Sequence, residues 1–303
     1  MSLRIAITVG DPRGIGPEIV EKVLQDPPPG ADFVVLGPDD IVARYQVPGI
    51  GVGKMVSGGG QLQSAGELTG RAVEQAARMA MDGEIQAMVT GPAEKRALHA
   101  AGFEYPGHTE WLAALAGGVD VAMMLAAEGL RVVLVTTHIP LSQVLQDLTV
   151  ERIVRVGRIT RQALGDWFGI PDARLAVCAV NPHAGEGGLF GDEDDTVLAP
   201  AAAQLDAAGP LPADTVFLKA SRGEFHAVLA PYHDVGMTAI KMVSFGKGVN
   251  VTLGLPFVRT SPDHGTAFDI AGRGIADPAS MRKAVELAIE LAARGTHATA
   301  PGD

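Results

Sequence analysis

Residues 4–24, RIAITVGDPRGIGPEIVEKVL, read as a strand, a glycine-rich turn and a helix. The apolar run Ile5–Val9 suits a strand buried on both faces. Gly10, Gly14 and Gly16 let the chain turn tightly and bring backbone N–H groups close to a ligand. Pro12 and Pro17 interrupt the GxGxxG spacing, so this is not the dinucleotide fingerprint. Pro17 suits the first position of a helix. A plain strand-to-helix turn explains the segment as well as ligand contact does. Asp11 is a turn residue or a site carboxylate.

Outward from that segment the same alternation continues. Strands are expected at DFVVLG, IQAMVT, RVVLVTT, RLAVCAV, TVFL, HAVLA and GVNVTLG. Helices are expected near 16–25, 66–82, 93–101, 108–117, 149–168, 194–207 and 278–294. Continuous apolar strands alternating with amphipathic helices predict an α/β fold with a largely parallel sheet. GGGQLQSAGE and GDEDDTVLAPAAAQLDAAGPLPAD read as the least structured stretches. Lobe boundaries are expected near 104 and 249: residues 1–104 and 250–303 form one lobe, and 105–249 the other.

The chain's 303 residues suffice for two lobes with a large core. A net charge of -11 argues against nucleic acid or an anionic membrane as partner. Aromatic residues at 5% provide no stacking platform for single strands. An acidic protein that handles an anion must therefore concentrate positive charge locally. Cys178 is the one cysteine, in the apolar run LAVCAV, which suits a core thiol and excludes a Cys-based metal site. No signal peptide or spanning segment is read, so the cytoplasm is the expected compartment.

Three histidines follow strand-like runs: His138 after VVLVTT, His183 after LAVCAV and His233 after HAVLAP. Open α/β sheets place ligands at the C-terminal ends of parallel strands. Three imidazoles converging there would make an open divalent-metal site. Imidazole suits Zn or Co, and Mg or Mn could serve if the substrate adds oxygen ligands. Asp234, next to His233, is a supporting acceptor or a site carboxylate. His108 and Thr109, in YPGHTEWLA, stand at a helix start where an anion would be favoured. On this segment alone a capping threonine and a solvent-facing turn histidine account for them slightly better. Lys241, Asn250 and Arg259 could also serve an anion, and Arg259 suits bidentate capture of a carboxylate or phosphate. His99 and His226 read as structural.

Together GDPRGIGPEI, YPGHTE, THIPL, NPHAGEGG, PYHD, GKGVNVTLGLPFVRTSPDHGTA and AGRG resemble the 4-hydroxythreonine-4-phosphate dehydrogenases, in family order over nearly the whole chain. That family belongs to the isocitrate/isopropylmalate dehydrogenase-like superfamily. The resemblance implies two α/β/α lobes with the active site in the cleft between them, and a homodimer with shared active sites. It implies metal ligands at His138, His183 and His233, one crossing the dimer, and substrate contacts at His108, Thr109, Lys241, Asn250 and Arg259. Lys241 and Asp234 are the candidates for proton transfer. The implied reaction is NAD-dependent oxidation and decarboxylation of a small phosphorylated hydroxy acid in pyridoxal phosphate synthesis. Paralogues acting on phosphorylated threonate or erythronate, or on a terephthalate-derived dihydrodiol, share the machinery. HGTAFDIAGRGIADP (264–278) is also similar to the cofactor loop of the isopropylmalate dehydrogenases, which places His264, Gly265 and Asp269 at the cofactor. A carboxylate at Asp269 would favour NAD over NADP. Arg13, Val235 and Leu189-Phe190 depart from the family pattern beside these motifs.

Overall fold

The computed structural model describes residues 2–298. In chain order its strands are β1 (Leu3–Thr8), β2 (Ala31–Gly37), β3 (Gly49–Gly51), β4 (Ala87–Thr90), β5 (Ala122–Ala127), β6 (Leu130–Leu134), β7 (Leu175–Cys178), β8 (Ala208–Leu211), β9 (Ala227–Ala230), β10 (Val249–Leu253) and β11 (Val258–Pro262). The helices are α1 (Gly16–Gln25), α2 (Asp39–Val42), α3 (Gln61–Met81), α4 (Lys95–Ala100), α5 (His108–Leu115) and α6 (Leu141–Asp147). They continue with α7 (Val150–Asp166), α8 (Ala199–Gln204), α9 (Ala213–Ser221), α10 (His233–Ser244) and α11 (Ala279–Ala298).

The chain divides into two units, Met1–Val119 with Leu255–Asp303, and Asp120–Gly254. The division thus falls after Val119 and Gly254 rather than near 104 and 249. In the first unit Phe103 lies 4.9 Å from Trp111 of α5, and a Cβ on Gly70 of α3 would strike the Phe103 ring. Aromatic packing therefore ties α5, with His108 and Thr109, to α3. Asn250 falls in the second unit, on β10.

The first unit orders its strands β3-β2-β1-β4-β11, with every pair parallel. Ile5, Ala6 and Ile7 of β1 are wholly buried, as the unbroken apolar run requires. The second unit orders its strands β10-β5-β6-β9-β7-β8. β10, β5 and β6 are antiparallel, while β6, β9, β7 and β8 run parallel. Its core joins Leu125, Leu130, Val132 and Leu134 to Ala176, Val228, Ala230 and Ile240. Parallel strands joined by helices, with a minority of antiparallel pairs, make the fold α/β.

Several expected elements moved. TVFL belongs to α9, where Val216 and Ala220 are its buried residues at helical spacing. The stretch around Gln61, expected to be loose, opens α3. β5 was missed because AMMLAA consists of good helix formers, and its antiparallel neighbours on both sides override that preference.

Candidate functional site

β6, β9 and β7 are adjacent and parallel, and the three histidines follow their C-terminal ends. The rings of His138 and His233 lie 5.6 Å apart. Asp234 Oδ1 sits 2.6 Å from His233 Nδ1, which leaves Nε2 as the ring atom facing outward from this pair. His183 follows β7, two strands from β6, which corresponds to about 10 Å. It is exposed, and its ring contact is Phe190 at 6.4 Å. Among the described residues no three His, Cys, Asp or Glu side chains are grouped to hold a metal. The residues present are thus an imidazole pair with an orienting carboxylate, donors of the kind a divalent ion takes, and a third imidazole apart.

His233 was read in a polar segment, yet it opens α10. Lys241 lies eight residues on, about 12 Å along the helix axis, and is exposed. Asn250 sits on β10, with its Oδ1 buried and unpaired.

The first unit holds the second group. Arg259 of β11 is 4% exposed, and its Nε and Nη2 donate to Thr90 Oγ1 at the end of β4. Burial pulls the guanidinium down to about 10, while Glu110 acts in the opposite direction. His108 is pulled down to about 3, first by burial and then by the positive charges of Arg259 and Lys95. It is therefore a neutral imidazole at physiological pH. His108 Nε2, Glu110 Oε2 and Trp111 Nε1 are buried without partners. Buried polar atoms are nearly always bonded, so orphans beside a buried cation mark a place where a polar ligand belongs. Thr109 is 5% exposed in the same turn of α5.

The opening turn has its own geometry. Gly10 is at φ 75°, and a Cβ on Gly16 would lie 1.9 Å from the Val9 carbonyl oxygen. Asp11 is wholly buried and accepts from Arg13 at 2.6 Å and 3.0 Å. Arg13 also reaches Glu94 at 2.7 Å and stacks over Phe268 at 5.3 Å. The Ile15 N–H donates to the Thr266 carbonyl, so the turn is fastened to the 264–278 loop. A cavity of about 510 Å³ opens here, lined by Arg13, Gly14, Pro17, Tyr45, Gly272 and Gly274 among others. In that loop His264 Nε2 is buried and unpaired, while Gly265 and Asp269 are exposed.

Glu110, Glu193 and Asp194 carry no signal of their own in the sequence, and Thr90 is read there only as the end of a strand. Glu110 stands in YPGHTE, where the motif itself was the available signal. His226 and His99 are structural as expected: His226 Nδ1 accepts from Arg174 N at 2.8 Å, and His99 Nε2 meets the Tyr105 carbonyl at 3.4 Å. Cys178 is buried, and burial together with Asp194 pushes its thiol up to about 12, so it is inert.

A 4-hydroxythreonine-4-phosphate dehydrogenase of Beijerinckia indica is 42% identical to this chain, over 95% of it and 94% of the relative. A D-threonate 4-phosphate dehydrogenase of Salmonella typhimurium is 43% identical, over 95% of this chain and 98% of the relative. The crystal structure of a 4-hydroxythreonine-4-phosphate dehydrogenase from Klebsiella pneumoniae superposes with a TM-score of 0.85 at 41% identity, covering 96% of this chain and 100% of that one. A β-decarboxylating dehydrogenase from Thermococcus kodakarensis shares the fold at 16% identity and a TM-score of 0.53, over 95% of this chain and 83% of its own. The family model described as pyridoxal phosphate biosynthetic protein PdxA matches residues 39–288. The chain belongs to the PdxA family.

Proposed function

We propose that this chain oxidises 4-phosphohydroxy-L-threonine, with NAD as hydride acceptor and loss of CO2, in pyridoxal phosphate synthesis. The observation that carries the reading is Arg259, a buried cation beside the neutral His108 and orphaned polar atoms. A buried cation beside a neutral imidazole suits an anionic group in an otherwise acidic protein. Arg259, Thr109 and His108 would hold the phosphate or carboxylate of the substrate, and Asn250 and Lys241 its remaining polar groups.

His138, His183 and His233 would hold one divalent ion (Zn, Mg, Mn or Co), which when bound polarises the reacting oxygen. Asp234 is engaged with His233 and orients that ring, and it or Lys241 takes the proton of the reacting hydroxyl. The exposed His183 stands apart from the other two rings, which supports a homodimer in which one ligand crosses. Exposed Leu141, Leu189, Met242 and Phe245 in the second unit support the same assembly. The cavity beside the opening turn and loop 264–278 has the size and glycine lining for a nucleotide, and Asp269 favours NAD over NADP. The single buried cysteine suits the cytoplasm.

A second reading, oxidation of 4-phospho-D-threonate, is favoured by the Salmonella relative's comparable identity. NAD reduction by the purified protein, offered each substrate with Zn, Mg, Mn or Co, separates the two. Turnover of the hydroxythreonine above the threonate supports the first reading. Turnover of the threonate alone replaces it, and turnover of neither removes both.

A further inference from the structure

The segment Asn181–Gly188 has an unusual backbone. Six consecutive residues, from His183 to Gly188, have positive φ, and His183 (54°), Ala184 (55°) and Glu186 (43°) are not glycine. L-residues avoid this conformation, so surrounding structure must impose it. Two carboxylates anchor the residues that lead into it. Asp194, wholly buried, accepts from Val180 N at 2.9 Å and from Asn181 N at 3.0 Å. Glu193 accepts from Asn181 Nδ2 at 2.7 Å, and this bond holds its carboxyl below the usual range. Gly185 and Gly191 leave the room these contacts need: a Cβ on Gly185 would lie 3.0 Å from the Gly191 carbonyl oxygen, and one on Gly191 2.6 Å from Glu193 Oε2.

We propose that Glu193 and Asp194 are positioning residues that clamp Asn181 and so fix the left-handed turn presenting His183 to the metal. Burying an ionised carboxylate is costly unless its hydrogen bonds are made. Here every named bond goes to the two residues that lead into the turn. Apolar packing alone would not require a carboxylate there. The proposal rests on the metal reading of His183, and its test separates the two.

Co2+ binding to the full-length protein is measured by calorimetry and by its visible spectrum, with circular dichroism as a check on folding. Asp194→Asn keeps the shape but places an N–H2 group against a backbone donor. It is expected to weaken Co2+ binding by roughly 10–100-fold and to alter the spectrum as His183→Ala does. Glu193→Gln, at a half-exposed position, is expected to stay folded and to weaken binding several-fold. If the wild-type protein binds Co2+ and folded Asp194→Asn binds it equally, with the same spectrum, the clamp is refuted. If Asp194→Asn does not fold, Glu193→Gln decides, and unchanged affinity there refutes it. If the wild-type protein binds no Co2+, the metal reading fails first and the clamp falls with it.

Discussion

Arg259 shows how a single residue concentrates positive charge in an acidic protein. Its guanidinium is held by Thr90 at the end of β4, so its orientation is set before any ligand arrives. Arg259→Ala should raise KM for the phosphorylated substrate by roughly 10–100-fold, the worth of a charge-assisted hydrogen bond, with kcat much less affected. Initial-rate kinetics check this, and a collapse of kcat at saturating substrate would give Arg259 a part in the chemistry instead. His108 makes a prediction about pH. Its folded-state value near 3 lies below the ordinary histidine range, so the unfolded chain binds the proton more readily. Its contribution to stability is complete above about pH 6.5 and declines as pH falls towards about 3. Urea unfolding at pH 7 and pH 5 should show the loss in the wild-type protein and less of it in His108→Gln.

At the scale of elements, α10 carries three residues of the proposed site, His233, Asp234 and Lys241. It lies against the sheet through Gly236, where a Cβ would come within 2.6 Å of Leu134 and 2.9 Å of Val132. Gly165 in α7 faces open space by comparison, its nearest neighbour being Pro171 Cα at 3.9 Å. Gly236→Ala should destabilise the protein by about 1–3 kcal/mol through overpacking, and should weaken metal binding by shifting His233. Gly165→Ala should stabilise by up to about 1 kcal/mol through helix propensity alone. Thermal unfolding of the pair checks both signs.

α10 also shows what the sequence concealed. HDVGMTAIKMVS contains a glycine and β-branched residues at Val235, Thr238, Ile240 and Val243, so propensity does not mark it as a helix. Packing against β6 and β9 decides it. The strand runs at β1, β2, β6, β7 and β9 were legible because burial on both faces forces unbroken apolar sequence. The histidines were legible because strand ends are marked by the polar residues after them. The left-handed turn at His183 was not legible, since nothing in NPHAGE distinguishes imposed strain from an ordinary loop. The Asp194 anchor was hidden in an acidic run that resembles solvated surface.

For the whole molecule the decisive question is whether one chain can complete the proposed metal site. His138 and His233 pair, while His183 is exposed and absent from any group of three ligands among the described residues. A two-fold dimer would exchange His183 between identical surfaces, since each copy offers the same patch to the other. Exposed Met242 and Phe245, 71% and 85% accessible, would be covered in such a dimer. Light scattering should find a dimer, and Met242→Asp with Phe245→Asp should shift it to monomer with loss of activity. Mixing two inactive variants gives the sharper test. His183→Ala and His233→Ala each lack a ligand. If His183 crosses, a mixed dimer joins the His138 and His233 of one copy to the His183 of the other and restores one of its two sites. Random reassociation of equal amounts should then recover roughly a quarter of wild-type activity. If each chain completes its own site, every site in the mixture lacks a ligand and no activity returns.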